Sequence, residues 1–443
     1  MADIAPFRGL RYNTEKVNDL AAVAIPPYDV ISPEEQELFL RASPNNMVYL
    51  ELGKTTPEDN ETNNAHTRAK EYFREWQQER ILIRDEQPAM YYYELDYEIG
   101  PGVRQVRYGF ICTLRLEEFS TGLVRPHEKT FDAVKDERLG LMRACQTNLS
   151  PVFALYSDPA MVIDHALKLA REPAPVISFE DRVGMRHRVW RVVDSRTIQH
   201  VRSLMLDKPI FIADGHHRYE TALNYRSIQR KQLGNSALEA PFDFIMMYLS
   251  NLDQGGLTIL PTHRMLKNLD RWDPGEFLGK ASAYFDVVGH DTTATGQLGW
   301  RKALENGRVD KETFIGLYWH GAGSFYLLKA RPQAVSSYLA VQGVNEVLRG
   351  LDVVILDRLL LRHLLGLSDA VLGCEHNIHF KHDLLEAAAA VRAGNYEVGF
   401  FINPTRIEQV QDVASAGLIM PHKATYFYPK VWSGLLIHSL VAA

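Results

Sequence analysis

At 443 residues, 46% of them hydrophobic, the chain holds ample apolar side chain for a packed core and more length than most single domains use, so two or three lobes are expected. A formal net charge of −6 supplies no basic field for sequence-independent contact with DNA, and no nucleic-acid partner is expected. The three cysteines, Cys112, Cys145 and Cys374, are far apart and form no Cys-x-x-Cys pair, which excludes a disulfide framework or zinc ribbon as the organising device and points to a reducing cytoplasm. No apolar run is long enough to cross a bilayer, and residues 1–9 lack the charged start and apolar stretch of a signal peptide, so no membrane partner is expected.

Residues 24–31 carry Pro26 and Pro27 and read as extended, because each proline pushes its predecessor out of the helical region. Ser32-Pro33-Glu34-Glu35 is a helix start with Ser at the N-cap, Pro at N1 and Glu at N3, and the helix is expected to run to about Ala42. Alternation in 47–52 predicts a strand with Glu51 on the face opposite Leu50 and Leu52. A polar loop over 57–64 leads into an amphipathic helix over 65–80 that uses Ala69, Tyr72, Phe73 and Trp76. Two strands, 90–99 and 104–116, flank the hairpin punctuation Gly100-Pro101-Gly102. Helices and strands mix here without the regular rhythm of a doubly wound sheet, which favours an α+β fold.

Arg125-Pro126-His127-Glu128-Lys129-Thr130 is a dense polar cluster, followed by a helix over 135–145 that carries Arg138. It mixes base, acid and cations: Glu128 or His127 suits a general base, and Lys129 or Arg138 suits phosphate neutralisation. A strand over 151–156, a helix over 158–171, strands over 176–180 and 187–193, and a helix over 195–205 then lead to the centre of the chain.

There, the apolar run 209–213 reads as a buried strand, Asp214-Gly215 breaks it, and Tyr219, Ala222, Leu223 and Tyr225 suit a helix from His216 onward. Two imidazoles, His216 and His217, and the Arg218 guanidinium thus fall at a strand-to-helix junction. A helix start offers backbone N–H groups and the positive end of a dipole, Gly215 permits close approach, and Arg218 adds a forked cation. The pattern is that of an anion cradle, most simply one for phosphate; the competing reading is a scaffold junction in which Asp214 caps the helix and Arg218 makes a salt bridge.

Beyond it, 242–249 is an apolar strand, and His263-Arg264 is a second His-Arg pair at a strand end, a further phosphate contact if it faces the cradle. Helices over 274–284 and 292–306 and strands within 313–328 outline a peripheral α+β lobe, with His320-Gly321-Ala322-Gly323 read as a hairpin turn. The leucine-rich helix 352–365 reads as core or as the subunit interface of a homo-oligomer. His376 and His379 are three apart in a strand-like setting and need not share a face, so a zinc site between 374 and 382 is disfavoured. A helix over 383–393, a strand over 398–402 and a helix over 405–416 precede the closing segment, where Lys423 and Lys430 sit among turn residues. Four regions are expected: 1–120, an N-terminal α+β region; 121–268, the central region; 269–335, the peripheral lobe; and 336–443, a C-terminal α/β region.

Asp214-Gly215-His216-His217-Arg218 resembles the signature of the ParB/sulfiredoxin superfamily, in which such a turn holds nucleotide phosphates. Together with Pro26-Pro27-Tyr28-Asp29-Val30, the 125–130 cluster and Met420 through Lys430, it also resembles, nearly end to end, the bacterial and archaeal family called domain of unknown function 1015. The resemblance implies mixed sheets with a ParB/sulfiredoxin-like core around the turn and additional α/β lobes. The superfamily includes free serine kinases, which make O-phosphoserine from serine and a nucleotide.

The implied function is a small-molecule kinase that takes phosphate from ATP or ADP, with Mg²⁺, and gives it to a small hydroxylated metabolite such as L-serine. Gly215, His216, His217, Arg218, Arg125, Lys129, Arg138, His263, Arg264 and Lys423 would hold nucleotide or phosphate. Asp214 would orient the phosphate or bind Mg²⁺, and Glu128, His127 or Glu51 would take the hydroxyl proton. A non-catalytic nucleotide-binding regulator and a metal-dependent hydrolase built from His127, His216, His217 and His263 are the alternatives. No Walker A or protein-kinase signature is present, and the sulfiredoxin route lacks a cysteine in the motif.

Overall fold

The computed structural model describes residues 1–441 apart from 101, 129, 131, 234–238 and 375, so Lys129, Pro101 and Glu375 lie outside the described residues. The chain forms two compact units: Met1–Pro126 with Thr130–Leu257 and Pro429–Ala443, and His127–Lys129 with Thr258–Tyr428. Both mix helices with sheet, and the first mixes parallel and antiparallel pairs in one sheet.

Among the described residues the first unit builds a nine-stranded sheet. Its order is Val124–Arg125, Ile210–Asp214, Val152–Tyr156, Phe244–Asn251, Arg104–Arg115, Met90–Glu98, Arg186–Val192, Ile177–Glu180, with Ile4–Ala5 also pairing along Arg104–Arg115. Ile210–Asp214 runs parallel to Val124–Arg125 and antiparallel to Val152–Tyr156, and its register shifts between Ile212 and Asp214. One face carries Tyr92, Phe110, Cys112, Val152, Ala154, Ile210, Ile212 and Met247. It is covered by the helices Val162–Ala170, Ser195–Met205 and His216–Leu233 through Leu167, Val201, Tyr219 and Ala222. Side chains alternate along strands, so Tyr93, Arg107, Phe153 and Tyr248 fall on the opposite face.

The second unit centres on an antiparallel sheet, ordered Phe285–Asp291, Ser324–Ala330, Phe314–Trp319, Val398–Phe401, His263–Leu266, Ile378–Lys381. Trp300, fully buried, stacks on Phe325 at 4.8 Å and meets Phe401 edge-on, fixing the helix Ala294–Asp310 to that sheet. Thr258–Leu260 pairs with Tyr426–Tyr428, and the Met420 N–H donates to the His127 carbonyl at 2.9 Å.

Local sequence signals account for many of the boundaries. The helix Pro33–Ala42 opens with the full capping box, Ser32 accepting from the Glu35 N–H and Glu35 accepting from the Ser32 N–H. Three expectations need correction. Residues 47–52 are not a strand: Val48–Glu51 is a helical turn, because the Asn46 side chain accepts from the Val48 N–H at 2.8 Å and caps it. Residues 24–31 are not extended throughout, since Tyr28–Val30 is a 3₁₀ turn set after the two prolines. The 352–365 helix divides into Asp352–Ile355 and a π-helical Leu356–Leu364, a widening that the leucine pattern does not encode.

Two backbone segments approach closely at Gly256. Its carbonyl accepts from the buried Tyr97 hydroxyl at 3.3 Å, and a Cβ there would lie 2.1 Å from the Val106 carbonyl oxygen. Gly256→Ala is expected to destabilise the chain by about 1–3 kcal/mol, the usual range for overpacking, read as a lower urea midpoint and melting temperature. An unchanged midpoint would mean that the loop and the strand separate at no cost.

Candidate functional site

The strand Ile210–Asp214 ends at Gly215, whose φ of +90° suits glycine, and the helix His216–Leu233 starts at the next residue. A Cβ at Gly215 would lie 2.9 Å from Arg218 Nε, so the guanidinium folds back over the turn. Arg218 Nη2 donates to Asp214 Oδ2 at 2.7 Å, and Nη1 donates to the Pro151 carbonyl at 2.5 Å and to Ser150 Oγ at 3.2 Å. The other Asp214 oxygen pairs with the Lys430 ammonium. His216 is buried and His217 half-buried in the first helical turn. The turn is thus a salt-bridged junction at a helix start.

A second network lies in the same unit. Glu51, buried at 3% exposure, takes Arg138 Nη1 on its backbone carbonyl at 2.9 Å and on Oε2 at 3.3 Å, and Ser433 Oγ donates to Oε1 at 3.2 Å. The Arg138 guanidinium lies over the Tyr28 ring at 4.1 Å and is gripped from its other side by both oxygens of Glu137. His66 Nε2 lies 3.1 Å from Glu137 Oε1. Burial pushes the Glu137 carboxyl up, but the hydrogen bonds and charges of His66 and Arg138 outweigh it and hold the group at about 2. The buried Arg138 keeps its proton more firmly than usual: desolvation opposes the charge, and Glu137 and Glu51 overcome it.

These two networks meet at cavities. Glu51, Arg138, Ser150, Arg218 and Thr221 line a small one of about 40 Å³. Tyr28, Glu51, His66, Glu137 and Arg138 line a wide one of about 840 Å³. Of the residues singled out from sequence, Glu51, Arg138 and Arg218 therefore share a wall, and Asp214 and Gly215 adjoin it through Arg218.

The 125–135 stretch divides between the units. Val124–Arg125 pairs in parallel with Ile210 and Phe211, and Arg125 stacks on the Phe211 ring at 5.4 Å while donating to the Gly122 carbonyl. Thr130 and Lys135 both reach the Glu220 carboxylate on the central helix, at 2.9 Å each. His127 and Glu128 belong to the second unit: His127 Nε2 lies 2.9 Å from Thr425 Oγ1, and Glu128 Oε1 accepts from the Lys423 N–H at 2.9 Å. Arg264 donates to the carbonyls of Thr262, His422 and Lys423, and burial lowers its pKa to about 10. His263 is buried beside it. Sequence reasoning did not single out His66, Glu137, Ser433 or Arg107; the Arg107 signal was a charge at an inward position of the 104–116 strand. Among the described residues no three His, Cys, Asp or Glu side chains assemble as a metal-holding group.

The model of a family described as "Protein of unknown function (DUF1015)" matches residues 4–354. The chain belongs to the DUF1015 family. No curated protein matches this DUF1015 chain. Among solved structures, it is similar to "Free serine kinase in complex with AMP" at 11% identity and TM-score 0.32, covering 69% of this chain and 83% of that one. It is also similar to "Conserved hypothetical protein from Pyrococcus furiosus" at 12% identity and TM-score 0.32, covering 70% and 89%. A third is "SbnI with C-terminal truncation from Staphylococcus aureus", at 11% identity and TM-score 0.29, covering 71% and 83%. None of the helices described is long and apolar enough to cross a membrane.

His263 provides a pH test of the second unit. Burial lowers its imidazole pKa from 6.5 to about 3, so it folds neutral while the unfolded chain takes up a proton below about 6.5. Its contribution is therefore complete above pH 6.5 and is lost as pH falls toward 3. His263→Gln cannot titrate, so between pH 7 and 4.5 the wild type should lose about 2 kcal/mol more stability than the variant in urea titrations. Parallel losses would refute the buried neutral imidazole.

Proposed function

We propose that this DUF1015 chain is a small-molecule kinase that transfers phosphate from ATP or ADP to a hydroxyl group, with free L-serine the acceptor suggested by the resemblance of the central motif. The observation that carries this reading is that Glu51 and Arg218, a buried carboxylate and a forked cation at a helix start, line one cavity. The adjoining 840 Å³ cavity offers room for nucleotide and acceptor. In this reading the terminal phosphate lies against Arg218 and the first turn of the helix, where positive charge favours the developing oxyanions. The acceptor hydroxyl lies at Glu51. Its oxygen attacks phosphorus, the bond to the nucleotide's bridging oxygen breaks, the nucleotide leaves with that electron pair, and the hydroxyl proton passes to the Glu51 carboxylate.

Arg138 and Ser433 hold Glu51 in a fixed orientation, and Glu137 with His66 holds Arg138. Asp214 orients Arg218 and Lys430; with both its oxygens on cations it does not fit a resident Mg²⁺, and no step is assigned to a metal here. Glu128 is occupied with the Lys423 amide, so the base role falls to Glu51 rather than to Glu128 or His127.

The test is incubation of the purified chain with ATP or ADP, Mg²⁺ and a panel of small alcohols that includes L-serine, followed by mass spectrometry for a phosphorylated product. Glu51→Gln is expected to lower turnover by about 10²-fold or more, the usual scale for loss of a general base, while nucleotide binding by calorimetry is kept. Arg218→Lys should weaken nucleotide binding itself. Binding without product from any acceptor would replace the kinase with a nucleotide-binding regulator; nucleotide cleavage without an acceptor, abolished by a chelator, would replace it with a hydrolase.

A further inference from the structure

Among the described residues, no carboxylate pairs with Arg107. Its side chain stands on the sheet face opposite the helices and is fully buried. Nη1 donates to the Pro429 carbonyl at 2.6 Å, while Nε and Nη2 find no acceptor at hydrogen-bond geometry among the described residues. The guanidinium lies over the Phe153 ring at 4.6 Å and near the Tyr248 ring at 5.4 Å. No carboxylate among the described residues comes within salt-bridge distance; Asp181 reaches this layer only through His187, which it meets at 3.2 Å. Burying an unpaired charge is among the costliest things a fold can do, so its retention points to a counter-ion that the chain does not itself supply.

The location of Arg107 indicates which counter-ion. Phe153, under the guanidinium, is the register partner of Asp214. Pro429, which accepts from Arg107, precedes Lys430, which pairs with Asp214. Arg218 bonds both Asp214 and the Pro151 carbonyl, two residues before Phe153. The Pro429–Lys430 step and the Phe153–Asp214 register pair therefore link the Arg107 guanidinium to the Arg218–Asp214–Lys430 network beside a helix start. Asp214 accepts from Arg218 and Lys430, and the Pro429 carbonyl accepts from Arg107.

We propose that Arg107 is part of the anion site, a second guanidinium that a phosphate or pyrophosphate group bound at the 214–218 turn takes as partner when it displaces the Pro429 carbonyl. This rests on the reading of that turn as a phosphate site, and it deepens that reading by extending the site from Arg218 to Arg107. Reaching Arg107 requires the Pro429 carbonyl to give way; Lys430 is the next residue, so that displacement also loosens the Lys430–Asp214 pair.

The test needs no acceptor and no turnover. Pyrophosphate, inorganic phosphate and ADP are titrated calorimetrically into the full chain, as wild type, Arg107→Met and Arg107→Lys, and each ligand-free protein is melted. Arg107→Met should lower pyrophosphate affinity at least tenfold while leaving the ligand-free melting temperature unchanged or raised, since an unpaired buried charge has been replaced by an apolar side chain of similar reach. Arg107→Lys should recover part of the affinity. Affinity of Arg107→Met within twofold of wild type overturns the proposal at any melting temperature and leaves the phosphate reading of the turn standing. Wild type that binds none of the three anions overturns both. If Arg107→Met does not fold, Arg107→Lys decides: several-fold weaker binding supports the proposal, and unaltered binding ends it.

Discussion

Asp214 with a cation on each of its oxygens is the constraint on which the candidate site depends. Arg218 approaches from four residues along the helix, and Lys430 comes from the closing segment. A lone carboxylate at the end of a buried strand would be costly, and so would two neighbouring cations without it; together they fix the strand end, the first helical turn and the closing segment with respect to each other. Arg218 adds a fourth anchor, the Pro151 carbonyl before the neighbouring strand. The turn is held by its charges rather than by apolar packing alone, and Arg218 lines a cavity while it holds the turn.

Around this junction the chain sets a second rigid arrangement. Glu51 is presented by a single helical turn, which the alternation of 47–52 had suggested to be a strand. Period-two patterning and a short turn cannot be told apart over six residues, and the deciding feature was the Asn46 side chain reaching the Val48 amide. The outcome matters for chemistry: the carboxylate is buried and oriented by Arg138 and Ser433, instead of standing on a strand face.

Much of the architecture was legible where local chemistry decides it. The Ser32 capping box and the Asp-Gly break before His216 both appear as their residue types imply. What could not be read was the partnership of residues far apart in the chain. Nothing in the run 125–130 says that Arg125 joins the central strand while His127 and Glu128 belong with the segment around Thr425. Nor does the position of Arg138 reveal that it lies over Tyr28 and holds Glu51. Arg107 was passed over because a single charge in an apolar strand looks like an ordinary outward position until the register shows which way it faces. The widened helix at Leu356–Leu364 is likewise a tertiary outcome, with no local residue type that demands it.

The contact between Lys430 and Asp214 joins positions 216 residues apart. A chain made from its N-terminus onward therefore presents the strand, the glycine and the helix start long before the ammonium that balances them exists. Until residues 429 and 430 are made, the Arg218–Asp214 contact lacks the Lys430 contact beside it, and Arg107 lacks the Pro429 carbonyl. The segment around Pro429 and Lys430 thus acts as a clasp, completing the contacts of this junction only after the strand and the helix have been made.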